Sequence, residues 1–327
     1  MKQIIMIQKR KTDLDIMRVI AIIGVIVIHS LGKWSDIEII SVIWRYSTYA
    51  VPLLVMISGA VWLGMEREVS IKKIWTKYIF HIVTAFAFWS VVYACIHYKD
   101  FGSAKEFIWR CIIGNYHSWY CYMIVGIYIF LPLLKYLKKN VELYHYLIIL
   151  VLFSSIILPA ISAVPMAASV THILDLLELS IGNEYLFYFL MGNILYEKES
   201  FHRMTPIVYG WGILSIVLIF TGYFNGSDAS FARMGYTMFI FLIIKNLCNK
   251  YEGVTQKIAL SCGKTAQMCF GIYLVHDVFL YIYNESMVVQ NLSPYLAAFV
   301  KVVFCFAASY LVVCFIKKVP ILGKYIV

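Results

Sequence analysis

Three ionisable side chains, Asp15, Arg18 and His29, lie on one stripe of the first apolar stretch of this 327-residue chain. Arg18 and His29 are eleven residues apart, close to three helical turns, so they point the same way about 16 Å apart. Asp15, Arg18, Ile22, Val25 and His29 trace the stripe at alternating spacings of three and four. A charge at membrane depth costs about +2.5 to +3.5 kcal/mol, so the stripe is expected to face protein rather than lipid. An imidazole, with an unperturbed pKa of about 6.5, is suited to carrying a proton there. A packed histidine bonded to a backbone carbonyl is the plainer alternative. For Arg18 that alternative is a snorkelling helix-end cation, with Asp15 one turn earlier as its partner or as a polar contact for substrate.

Other candidates follow along the chain. Arg45 enters the second apolar stretch near its outer end, where it could bind an anionic group or orient an acceptor. Pro52 removes a ladder hydrogen bond in that stretch, and Ser58 with Gly59 permits close helix approach. Arg67, Lys72, Lys73 and Lys77 form the most basic local cluster, with His81 one turn beyond. Lys73, Lys77 and His81 share a helix face by their i, i+4, i+8 spacing, which suits phosphates; ordinary decoration of a cytoplasmic loop is the other reading. His117, Trp119 and Tyr120 open a later stretch as an aromatic belt or as sugar contacts. His276 stands beside Asp277 in apolar surroundings, but neighbours on a helix diverge by about 100° and need not bond each other. No P-loop, nucleophile elbow, HExxH or metal-ligand spacing occurs. The eight cysteines are scattered singly, as buried small hydrophobes rather than a disulfide frame or metal site.

These residues need helices to position them. The chain is 62% hydrophobic and 14% charged, with a mean hydropathy of +0.79, beyond what a soluble domain requires. Apolar runs recur at about 14–34, 39–64, 74–97, 118–137, 143–163, 183–197, 206–224, 231–248, 265–284 and 294–316. The expected fold is therefore all-α: a polytopic membrane bundle of about ten helices forming one domain over 1–327, with no soluble domain. With the N-terminus inside, twenty Lys and Arg fall in inner segments and five in outer ones. That asymmetry places both termini in the cytoplasm, Met1–Lys11 being a retained tail. It also accounts for the net charge of +10 through anionic lipid headgroups rather than nucleic acid. Residues 98–117 hold an amphipathic piece with Lys105, Phe107, Ile108, Trp109 and Arg110, and the outer segment 159–182 carries His172, Asp175 and Glu178.

Five blocks in order resemble the integral-membrane acyltransferase family 3, which includes cell-envelope O-acetyltransferases. They are Asp15–Ala21 followed by His29; Tyr49–Leu53 with Ile57–Gly59; Ser118–Met123 through Tyr128 and Leu131–Leu134; Tyr185–Gly192; and Phe270–His276. The resemblance implies transfer of an acyl group, commonly acetyl, from cytoplasmic acyl-CoA to a hydroxyl or amine at the outer side of a bacterial cytoplasmic membrane. Its catalytic His falls on His29 and its first-span Arg on Arg18. The expected acceptor is an envelope glycan or lipid-linked sugar, no metal is called for, and the oligomeric state is open. Where the family usually carries a pair of arginines at the start of span three, this chain has Lys77 and His81. Lys keeps a point charge there but loses bidentate phosphate binding. A flippase of lipid-linked sugar or polysaccharide, which would consume no acyl-CoA, and a sensing module without chemistry are the competing readings.

Overall fold

A computed structural model describes residues 11–65, 68, 70–97, 102–159, 183–222, 229–286, 292–320 and 322–327. Every regular element among them is helical. In chain order these are α1 (Thr12–Leu31), α2 (Glu38–Ser47), α3 (Ala50–Trp62), α4 (Ile71–Ile96), α5 (Ala104–Ile113), α6 (Trp119–Lys138) and α7 (Val141–Ile157). Then come α8 (Glu184–Tyr196), α9 (Lys198–Thr221), α10 (Ala229–Lys250), α11 (Glu252–Ala266), α12 (Cys269–Glu285), α13 (Pro294–Lys318) and α14 (Leu322–Tyr325). Among the described residues, seven spans are long and apolar enough to cross a membrane, and α11 with α12, bent by 59°, brings the number to eight if the pair is one span. The fifth and sixth expected spans correspond to α7 and to the thirteen-residue α8, both shorter. The expected all-α polytopic bundle is what is found.

Breaks fall where the local chemistry asks for them. Pro52 lies in the first turn of α3, where its missing N–H costs nothing, and the chain turns at Thr48–Tyr49 just before it. Pro132, in contrast, sits within α6, which continues to Lys138. Ser70 caps α4 by accepting from the Lys73 N–H, and Ile74–Ile79 form wider π turns before the helix becomes regular. Ser103 caps α5 in the same way, and Gly114 ends it at φ +78°, a left-handed conformation that favours glycine. Arg67, residues 1–10 and the outer segment 160–182 lie outside the described residues.

The chain divides into two compact units, each assembled from separate stretches. The first comprises Met1–Ala21, Arg45–Glu68 and Leu133–Gly263. Its core is the contact of α3 with α8, where Gly59 faces the backbone of Phe189 and Gly192 faces that of Met56. A methyl group at either glycine would overlap that backbone, so the two helices meet as close as main chains allow. Outside the apolar helices, Lys139 lies 2.6 Å from Glu68 and its hydrogen bond holds that carboxyl below its ordinary pKa.

The second unit comprises Ile22–Trp44, Val69–Pro132 and Lys264–Val327. Here α12 packs against α13 and α4, and α5 packs against α4. The stretch around α14 lies along α4: the Trp89 indole donates to the Ile326 carbonyl at 2.9 Å and Thr84 to the Tyr325 carbonyl at 3.2 Å.

Candidate functional site

Within the second unit three helix segments bring three imidazoles together. His29 comes from the last turn of α1, His117 from the short turn Tyr116–Ser118 that precedes α6, and His276 from the middle of α12. Ring centroids are 5.2 Å apart for His29 and His276, 5.0 Å for His117 and His276, and 6.3 Å for His29 and His117. The His29 ring also meets the Tyr116 ring at 5.3 Å, so it faces protein. His117 and His276 are buried, and His29 is half-buried.

One carboxylate organises the turn. Asp277 accepts from the Asn115 amide at 2.5 Å and from the Tyr116 hydroxyl at 2.8 Å, and its Oδ2 lies 3.9 Å from His117 Nδ1. The Asn115 side-chain oxygen accepts from the Tyr116 N–H at 2.8 Å, and the Tyr273 hydroxyl donates to the His117 carbonyl. His276 Nδ1 lies 2.6 Å from the Tyr273 carbonyl. A carbonyl only accepts, so that nitrogen carries the proton and Nε2 presents a lone pair. Among the described residues, His276 Nε2 and both His117 nitrogens are buried with no hydrogen-bond partner. Each such atom costs about 1–3 kcal/mol, an expense suited to groups whose partner is a substrate. Asp277 bonds Asn115 and Tyr116 rather than its neighbour His276, in keeping with the divergence of adjacent positions on a helix.

The remaining candidates are distributed differently. Tyr120 is buried with its ring 5.2 Å from that of Tyr273, whereas Trp119 is exposed. Arg18 and Asp15 belong to the first unit, where the guanidinium lies 2.6 Å from an Asp15 carboxylate that is itself 1% exposed. Arg45 also belongs to the first unit, at the end of α2, with its Nε buried. At the start of α4, Lys72 and Lys77 are exposed and Lys73 is half-buried. His81 bonds the Lys324 backbone and lies 5.7 Å from the Phe270 ring, so its imidazole is already engaged by protein. No group of three or more metal-ligating side chains occurs among the described residues.

A family model described as an acyltransferase domain matches residues 11–317, nearly the whole chain. The chain belongs to the acyltransferase 3 family. No curated protein and no solved structure is a significant match. In this membrane acyltransferase, sequence reasoning missed Asn115, Tyr116 and Asp277 as one hydrogen-bonded group, because the partners stand 162 and 161 residues apart. The available signal was the acid beside His276 inside an apolar run.

Proposed function

We propose that this acyltransferase moves an acyl group, acetyl in the first instance, from acyl-CoA to a hydroxyl of an envelope glycan or lipid-linked sugar in a bacterial cytoplasmic membrane. The observation that carries the reading is the meeting of His29 with His117, His276 and the Asp277 network. A neutral imidazole of this group takes the proton of the acceptor hydroxyl while the oxygen attacks the thioester carbonyl. The carbon–sulfur bond then breaks, and the coenzyme A thiolate leaves to take up a proton, with no change of oxidation state. His29 is assigned that role because it is the least buried of the three rings. His117 and the Asn115–Asp277–Tyr116 bonds hold the surrounding geometry.

Lys72, Lys73 and Lys77 are assigned to the donor phosphates as point charges at the basic end of α4. Arg18, about three helical turns before His29 on α1, is assigned to drawing the donor's acyl end inward.

The test is His29→Ala in reconstituted protein given radiolabelled acetyl-CoA and an envelope glycan fraction. Loss of label transfer by a folded variant is expected. Retained transfer overturns the role of His29, and movement of a lipid-linked sugar without consumption of acetyl-CoA supports a flippase instead.

A further inference from the structure

On the second unit, α4, α5 and the Gly114–Asn115 turn enclose a cleft of about 210 Å³. Ser90, Tyr93, Ala94 and Gly114 form its buried floor, and Glu106, Arg110, His97 and Asn115 surround its mouth. The Ser90 hydroxyl is buried without a hydrogen-bond partner, and it borders Gly114, where an added Cβ would come within 3.0 Å of it. Arg110 makes no ion pair among the described residues. Glu106 Oε2 accepts from the Gly102 N–H at 3.1 Å, which leaves its second oxygen for another donor.

The cleft is joined to the histidines through two of its own walls. Asn115 lines it and donates to Asp277, and the Tyr93 ring lines it while standing 5.2 Å from the His117 ring. The distribution of Lys and Arg assigns this end of α4 and α5 to the outer side of the membrane.

We infer that this cleft is the acceptor subsite and that it takes one hydroxylated sugar ring bearing a carboxylate. The inference rests on the acyltransferase reading. Its volume falls below the about 300–1,000 Å³ of pockets for drug-sized ligands, which fits one ring rather than a chain. The planar Arg110 guanidinium matches a carboxylate in a bidentate fork. The Ser90 hydroxyl, the open Glu106 oxygen and the Asn115 amide can each exchange hydrogen bonds with ring hydroxyls. Tyr93 offers a flat apolar wall. With the ring held there, Tyr93 and Asn115 are the walls it shares with the imidazole cluster.

The experiment is saturation-transfer NMR on the full chain in nanodiscs, with methyl β-glucuronide, methyl β-glucoside and glycerol phosphate as probes. Preferential saturation of the glucuronide is expected. Loss of its carboxylate contact in Arg110→Ala and Arg110→Gln weakens binding about tenfold or more, with the helical circular dichroism unchanged. In His29→Ala the glucuronide still binds, so failure of the catalytic reading and failure of the subsite are separately visible. Equal saturation of glucoside and glucuronide, preference for glycerol phosphate as for a lipid headgroup, or unchanged binding in both Arg110 variants overturns the proposal.

Discussion

The two units hold different kinds of polar group: carboxylate and ammonium contacts in the first, where the Nε atoms of Arg45 and Arg233 are nonetheless buried without partners among the described residues, and imidazoles in the second. In the first unit, charges close on protein. Glu184 holds Arg233 with both carboxylate oxygens at 2.8 Å, and the buried Lys245 ammonium ends on the carbonyls of Leu195 and Tyr196 at 2.8 and 2.9 Å. Lys138 reaches the Leu63 carbonyl at 2.8 Å and pairs with Glu197. These contacts tie helix ends together and satisfy terminal carbonyls that α-helices leave without partners. In the second unit the imidazoles touch one another, and buried ring nitrogens are left without protein partners. One set of polar groups fastens helices. The other keeps ring nitrogens of His117 and His276 without partners among the described residues.

If that contrast is functional, substitutions in the two units must separate stability from chemistry. The largest effect is expected for His29→Ala, with acyl transfer falling about 10²–10⁴-fold and the unfolding temperature in detergent scarcely moving. A large loss of thermal stability would put His29 among the fastening groups.

Next comes Glu184→Gln, which leaves the guanidinium of Arg233 without its carboxylate. Breaking a buried pair costs about 3–5 kcal/mol, and the lower end is expected because both side chains keep some exposure. Thermal unfolding should shift down while transfer per folded molecule holds.

Asp277→Asn is expected to lower kcat by about tenfold, the weight of a charge-assisted hydrogen bond, with the acceptor KM little changed. A raised KM with normal kcat would make Asp277 a binding contact rather than a positioning residue.

The smallest change is Lys77→Arg, which replaces a point charge with a bidentate fork and should lower the KM for acetyl-CoA by about twofold to fivefold. No change would remove Lys77 from the donor site.

The sequence exposed what periodicity can expose. The spacing from Asp15 to His29 identified one continuous helix with a protein-facing stripe, and α1 carries all of those residues. Gly59 signalled a close helix approach, and its partner is the backbone at Phe189. Spacing along a helix gives its faces but not its neighbours. His29, His117 and His276 were therefore three separate candidates, and the long-range bonds of Asp277 joined two of their surroundings. Trp119 and His117 are two residues apart, yet one is exposed and the other buried, because positions two apart on a three-residue turn project to different sides. Charge distribution along the sequence leads one to expect Arg45 and His29 near the same end of their apolar stretches, which says nothing about which residues each packs among.

Gly114 constrains how the proposed acceptor cleft can vary. The same position ends α5, lies under the cleft and leads directly into Asn115 and His117. A larger residue there would strain the backbone, meet the Phe86 ring at 2.7 Å and shift the turn that carries the imidazole. If the cleft takes the acceptor as proposed, relatives that choose other acceptors are expected to diverge at the rim, at Glu106, Arg110 and His97, while this one hinge stays free of a side chain.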